Sequence, residues 1–270
     1  MFDNKAEADR DELADTQPAY IHSVAPDPRR LDPLDNPRVE EEGCLGITHE
    51  KKYYDFPEYP NAVFIKRNIT PSEYLVNLAG NLVPPTLCIE RMRNEVASMR
   101  FIQKHTSIPT PNIRCAFEDH GRYYIITDMV GPGSIDLGDV PEDKRAMVYA
   151  ELEGYIAQMH QLTSKVMGGL LGDVIPPYRV CRALPINHVL KLRQADTPEF
   201  VFCHNDLSQS NVLVDADTFK ITAILDWEYS GFFPVEFEAP FYLRPGPSAA
   251  LDGEKDDVGE LLQILEQWKA

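Results

Sequence analysis

The sequence predicts an α+β chain in two lobes, a small β-rich one followed by a mostly helical one that carries a β-hairpin. Three observations predict it. The 270 residues suffice for two modest lobes around a cleft. Strand-like apolar runs dominate up to residue 130, where Val130-Gly131-Pro132-Gly133 reads as a connector. Beyond it a long helical repeat is followed by two β-type runs, 212–214 and 221–225, on either side of a turn. The expected divisions are an arm at 1–42, a first lobe at 43–130 and a second at 131–270.

Composition narrows the function classes. Acidic residues outnumber basic ones by 43 to 26, a net charge of -17, so nothing would offset phosphate repulsion and a nucleic-acid partner is not expected. The cysteines Cys44, Cys88, Cys115, Cys181 and Cys203 stand singly, without zinc-type spacing or the even count of a disulfide framework, as reduced thiols do. There is no basic and apolar leader at residues 1–15 and no 18-residue apolar run, which predicts a cytoplasmic chain that does not meet a membrane. Oligomeric state is not legible.

Taken in order, residues 1–42 hold twelve acids, five bases and five prolines, too few apolar groups for a core, and predict a solvated, partly disordered extension. Ala62-Val63-Phe64-Ile65 reads as a buried strand ending in Lys66-Arg67, followed by a loop with Pro71, Gly80, Pro84 and Pro85. A helix then places Ile89, Met92, Val96, Met99 and Ile102 on one face. Glu95 falls inside that stripe, where a carboxylate costs several kcal/mol unless a cation meets it. Lys66 is the candidate partner, with Arg67, Arg91 and Arg93 as alternatives. Residues 115–117 and 123–129 read as strands joined by a turn at Asp119-His120-Gly121. Val148, Leu152, Tyr155, Met159 and Leu162 predict a helix over 142–162. A Pro-rich stretch near Pro176-Pro177, a short apolar helix near Leu190 and a strand at 200–203 lead to the main motif. The acids Asp252, Glu254, Asp256, Asp257 and Glu260 read as a solvated helix face.

The densest chemical signal is VFCHNDLSQSNVLVDADTFKITAILDWE. Asp206 stands five residues before Asn211, and the second β-type run delivers Asp226. Magnesium takes carboxylate and amide oxygens around a triphosphate, and Asn211 and Asp226 face one cleft if their strands form a hairpin. Phosphoryl transfer also needs a group to receive or orient the acceptor hydroxyl, and Asp206 is placed for that. His204 reads as a packed, hydrogen-bonded loop residue, and Trp227, Phe232 and Phe233 as core. Glu228 is open between a carboxylate facing or backing the metal and a purely structural one.

At these residues a resemblance appears. His204-Asn205-Asp206 with Asn211, then Asp226-Trp227-Glu228, resembles the H-x-D-x-x-x-x-N and D-x-x pair of the protein-kinase-like superfamily. The Asp-Trp-Glu form resembles its aminoglycoside phosphotransferase and choline-kinase branch. The longer wording HNDLSQSNVLVD and AILDWEYSGFFP is similar to fungal phosphotransferase-domain proteins, over 62–268. The resemblance implies a two-lobed protein-kinase-like fold, with Asp206 as catalytic base and Asn211 and Asp226 as Mg2+ ligands. It also implies ATP as cofactor, Lys66 with Glu95 on its α- and β-phosphates, and the backbone C=O of Asp128 and N–H of Val130 on its adenine.

Departures from that pattern bear on activity. No G-x-G-x-x-G loop precedes Lys66, the nearest glycines being Gly43 and Gly46. Asn205 replaces the usual Arg, and Glu238-Ala239-Pro240 is not the Ala-Pro-Glu order, which favours a small-molecule acceptor over a protein. Only 44 residues follow Asp226, so the acceptor site is expected to be truncated, open or completed by another chain. Two function classes follow: a Mg-ATP-dependent kinase acting on a hydroxyl of a small metabolite, and a pseudokinase that binds nucleotide or a partner without turnover.

Overall fold

The computed structural model describes residues 40–57, 62–131, 133–183 and 194–269. Most of the expected N-terminal arm, Pro132 of the connector and the apolar helix expected near Leu190 lie outside the described residues. The described residues divide into two compact units, one made of those from residue 40 to Met92 with Asn112–Met129, the other of Arg93–Pro111 with those from Val130 onward.

The first unit is a five-stranded antiparallel sheet. Its strands are β1 (Cys44–Ile47), β2 (Lys51–Phe56) and β3 (Val63–Asn68). After β4 (Leu75–Val76) and β5 (Leu82–Val83), which pair only with each other, come β6 (Ile113–Asp119) and β7 (Arg122–Asp128). The order is β1-β2-β3-β7-β6, so β3 is central, with Lys66 opposite Tyr53 on one side and Ile125 on the other. Successive side chains leave a strand on opposite faces, which separates Lys66 from Arg67. Arg67 donates to both carboxylate oxygens of Glu73, at 2.9 and 2.6 Å, and to the Tyr54 hydroxyl at 3.2 Å. Glu73 also accepts the Thr70 backbone N–H and hydroxyl, at 2.9 and 3.0 Å. Lys52, the cross-strand neighbour of Arg67, is buried and held by Glu41.

Two sequence expectations change in this unit. The loop expected between β3 and the helix folds as a 3-10 turn (Pro71–Glu73) and the β4/β5 hairpin. Asn77 closes that hairpin's turn by accepting the backbone N–H of Ala79 and Asn81, both at 3.0 Å. Strand β2 holds Lys51 and Lys52 at buried positions, which masks its periodicity. Arg67 and Arg91, both weighed for Glu95, are held by other carboxylates, Arg91 by Glu50 at 2.7 Å.

Helix α1 (Cys88–His105) begins in this unit and belongs to the second from Arg93 on. Its expected stripe is buried at Met92, Val96, Met99 and Ile102, but so are Asn94, Ala97, Ser98 and Phe101 on the other side. Phe101 explains the second face, since its ring lies 5.3 Å from Phe202 and 5.9 Å from Phe232. Asn94 is tolerated there because its amide donates to the carbonyls of Glu228 and Ser230, at 3.1 and 2.7 Å.

In the second unit β8 (Ser134–Asp136) precedes α2 (Glu142–His160), whose Val148, Leu152 and Met159 are buried as the periodicity predicts. The helix stops two residues short of Leu162 because β9 (Thr163–Ser164) pairs with β10 (Phe200–Cys203). Between them lies α3 (Tyr178–Ala183). Strands β11 (Val212–Asp215) and β12 (Ile221–Ile224) form the expected hairpin, and β8 flanks β11. Strand β13 (Gly231–Phe233) returns to β10, completing a β13-β10-β9 sheet. The last helix, α4 (Val258–Gln267), buries Leu261 and Leu265. The acidic stretch is therefore not a helix face throughout. It lies mostly before α4, where Asp257 binds the buried Arg179 at 2.8 Å and Glu254 binds Arg244 at 2.6 Å.

Candidate active site

The hairpin is local in sequence and its turn is self-contained. Asp215 Oδ1 accepts the backbone N–H of Thr218 at 2.7 Å and that of Asp217 at 3.2 Å, an Asx-type closure. Pairing runs Val212 to Ile224 and continues one step further, where Leu225 N–H donates to Asn211 C=O at 2.9 Å. Asn211 and Asp226 consequently stand at the same end of the hairpin.

Strand β10 brings the other component. From its end the chain runs through His204, Asn205 and Asp206, and four hydrogen bonds close this loop onto the hairpin in a ring. Asn211 Nδ2 donates to Asp206 C=O at 2.7 Å, and Asp206 N–H donates to His204 Nδ1 at 3.3 Å. His204 Nε2 then meets Leu225 C=O at 2.8 Å, and Leu225 N–H returns to Asn211. With Nδ1 accepting a backbone N–H, the proton of the neutral ring sits on Nε2. His204 is fully buried against Trp227, ring centroids 4.6 Å apart. Burial pushes its pKa down to about 4, against the opposing pull of Leu225 and Asp226, so the ring is neutral at pH 7 and acts as a bracket.

The Asn211 side chain is thereby aimed. Because the Asn211 amide nitrogen is spent on Asp206, its oxygen is the atom left to a cation, and an amide oxygen beside a carboxylate is the donor set that hard divalent ions take. That donor chemistry fits magnesium. Asp226 sits in the left-handed region at φ 56°, a conformation that Asp tolerates better than most residues, on entry to a 3-10 turn over Trp227–Tyr229. Asn205 is also left-handed, at φ 66°, and donates to Tyr229 C=O at 3.0 Å. It binds the loop to the turn after Asp226, a structural use for the position where the resemblance leads one to look for Arg. Trp227, Phe232 and Phe233 are fully buried. Glu228 is buried, its carbonyl taken by Asn94.

Sequence reasoning missed Glu238. Its two carboxylate oxygens accept the backbone N–H groups of His204 and Asn205, gripping the loop from behind just before Asp206. Burial pushes its pKa up to about 7, against those two hydrogen bonds. The only available signal was a carboxylate inside an apolar run, after Phe232, Phe233 and Phe237.

The remaining predicted residues lie elsewhere on the chain. Lys66 and Glu95 are both buried, at 5% and 4% exposure, on β3 and α1 respectively. Asp128 ends β7, with its carboxylate held by Arg114 at 2.5 Å and Asn112 at 3.0 Å, and these two partners keep its pKa low. Val130 opens the second unit. The β1–β2 turn, where the resemblance would place a glycine-rich loop, is closed by Thr48. Its hydroxyl accepts the N–H of Glu50 at 3.3 Å and of Lys51 at 2.9 Å.

The hydrogen-bonded ring thus brings Asp206 and Asn211 to the end of the hairpin at which Asp226 follows Leu225. The chain belongs to the phosphotransferase enzyme family, whose model matches residues 82–268. Among curated proteins it is similar to probable choline kinase 1 of Arabidopsis thaliana, 31% identical over 106 residues, 37% of this chain and 27% of that protein. It is also similar to probable choline kinase 3 of the same plant, 26% identical over 161 residues, 54% of this chain and 44% of that one. The aligned parts therefore span less than half the length of these relatives. Among solved structures, aminoglycoside phosphotransferase APH(4)-Ia aligns with a TM-score of 0.49 at 16% identity, covering 83% of this chain and 76% of that one. A thermostable mutant of that enzyme, in ternary complex with AMP-PNP and hygromycin B, aligns with a TM-score of 0.45 at 17% identity, covering 70% and 66%. No helix among the described residues is long and apolar enough to cross a membrane.

Proposed function

We propose that the protein is a Mg-ATP-dependent small-molecule kinase in which Asp206 receives the proton of an acceptor hydroxyl. The freed oxygen bonds the γ-phosphorus as the bond to the β,γ-bridging oxygen breaks, and ADP leaves. Asn211 and Asp226 would hold magnesium, which neutralises phosphate charge. Lys66 and Glu95 would act together on the α- and β-phosphates, and the backbone of Asp128 and Val130 on adenine. The observation that supports this assignment is the hydrogen-bonded ring of Asp206, Asn211, Leu225 and His204, which gathers at one hairpin end the residues that would serve as base and hard oxygen ligands. The acceptor classes suggested by the relatives' names are amino alcohols and aminoglycosides.

One observation favours the alternative of a pseudokinase. The turn between β1 and β2 has two of its amides already bonded to Thr48, whereas phosphate cradling draws on free ones.

The deciding experiment is ATP turnover, with and without magnesium, over a panel of amino alcohols, aminoglycosides and polyols. Transfer should require magnesium and fall by about 100-fold or more in Asp206→Asn, with melting temperature and nucleotide affinity nearly intact. Asp226→Ala should weaken nucleotide binding chiefly when the metal is present. Nucleotide binding without turnover on any acceptor would establish the pseudokinase instead.

A further inference from the structure

Behind the catalytic loop three side chains of different chemistry converge. His160 is the last residue of α2, Cys203 the last of β10, and Glu238 follows the buried Phe237. One donor atom from each, an imidazole nitrogen, the thiol sulfur and a carboxylate oxygen, lies within 4.8 Å of the other two. All three belong to the second unit. The geometry points to a site for a zinc-class divalent ion, held by His160, Cys203 and Glu238, that locks the underside of the catalytic loop.

The donors are underused as they stand. The buried His160 Nε2 makes no hydrogen bond among the described residues. Cys203 is fully buried; its sulfur makes long contacts, 3.6 Å to Val201 C=O and 3.9 Å to Pro234 C=O, and accepts a hydrogen bond from the Phe233 backbone, a weak set that leaves lone-pair capacity for a cation. Glu238 already accepts two backbone N–H groups, but a carboxylate offers about four lone-pair positions and can bridge those amides to a cation. Burial pushes the Cys203 thiol and the Glu238 carboxyl up, and lowers His160, leaving a neutral imidazole with a lone pair to give. A divalent charge would relieve both buried acids at once.

Ligand chemistry selects the metal. Imidazole, thiolate and carboxylate together suit zinc, with a fourth position open, whereas magnesium takes oxygen ligands only. Tetrahedral zinc spaces its ligand atoms by roughly 3.5 Å, so a contraction of about 1 Å from the outer limit completes the site, within reach of side-chain torsions. On binding, the thiol proton passes to solvent and the sulfur's electron pair forms the bond to the metal, with no change of oxidation state. This site is separate from the magnesium ligands proposed above and stands whether or not the protein turns over ATP.

The test uses the full chain, stripped with a chelator, then titrated with Co2+ as an optical probe and with zinc in equilibrium dialysis. A single equivalent should bind, with a thiolate-to-cobalt charge-transfer band in the near ultraviolet. Cys203→Ser should lose the band and bind zinc at least about 10-fold more weakly. Asp226→Ala, which removes a proposed magnesium ligand, should keep the band. If Cys203→Ser does not fold, His160→Gln keeps the thiol and reports instead: weaker zinc binding supports the site, unchanged binding overturns it. Absence of the band in the unmodified chain, or its survival in Cys203→Ser, also overturns it.

Discussion

Replacing Glu73 by Gln should loosen the β-sheet unit by roughly 3 kcal/mol at neutral pH. Glu73 is 2% exposed and receives both Arg67 nitrogens together with the Thr70 amide and hydroxyl. Burial alone would raise its pKa, but the Arg67 hydrogen bonds and the Thr70 amide outweigh burial and pull it from 4.5 to about 2. That lowering is worth about 3 kcal/mol, at the lower end of the roughly 3–5 kcal/mol lost when one partner of a buried ion pair is removed. Because the folded pKa lies below the unfolded one, the stabilisation is present above pH 4.5 and is lost as pH falls toward 2. Amide hydrogen exchange in β3 at pH 7 locates the effect: Glu73→Gln should raise the opening equilibrium there by about 300-fold. Urea denaturation between pH 6 and pH 2 supplies the linkage, with the two proteins converging at the acid end. Equal β3 protection at pH 7, or a stability gap that stays constant down to pH 2, would refute the reasoning.

Two further outcomes follow from named residues. On the proposed role of Lys66 and Glu95, Lys66→Met and Glu95→Gln should each lower the rate of phosphoryl transfer, with the double mutant little worse than either; full additivity in free energy would make the residues independent. His204, neutral when folded and with a pKa of about 4, contributes stability present above pH 6.5 and lost as pH falls toward 4. Glu238 contributes the opposite way, its stabilisation being present below pH 4.5 and lost as pH rises through about 7. Melting temperatures measured with a chelator should therefore vary little from pH 6.5 to 4.5 in the unmodified chain and rise on acidification in His204→Gln, and parallel profiles would remove His204 from this role.

What could be read from sequence divides by the separation of the contacts. The β11/β12 hairpin, and with it the common placement of Asn211 and Asp226, was legible because every bond that shapes it lies within a short local run, down to the Asp215 turn. The grip of Glu238 on His204 spans 34 residues and that of Asn94 on Glu228 spans 134. No periodicity records such contacts, because one side chain meets a backbone amide or carbonyl rather than a patterned face. The same holds for Lys52 and Arg67, which look like solvated strand ends until Glu41 and Glu73 are seen beside them. Glu95 was legible as a buried carboxylate from the helical stripe alone. The second buried face of α1 was not, because polar Asn94 and Ser98 interrupt it.

The ring joining Asp206, His204, Leu225 and Asn211 has a thermodynamic consequence of its own. Fixing a residue's backbone costs roughly 1–2 kcal/mol, and here that cost is met during folding. A ligand arriving at this loop meets atoms already in register, so its contact energy goes into affinity rather than into ordering. Closure also shares the load. Two of the four bonds, Asn211 to Asp206 and His204 to Leu225, tie the loop to the hairpin, so opening either one leaves the other in place.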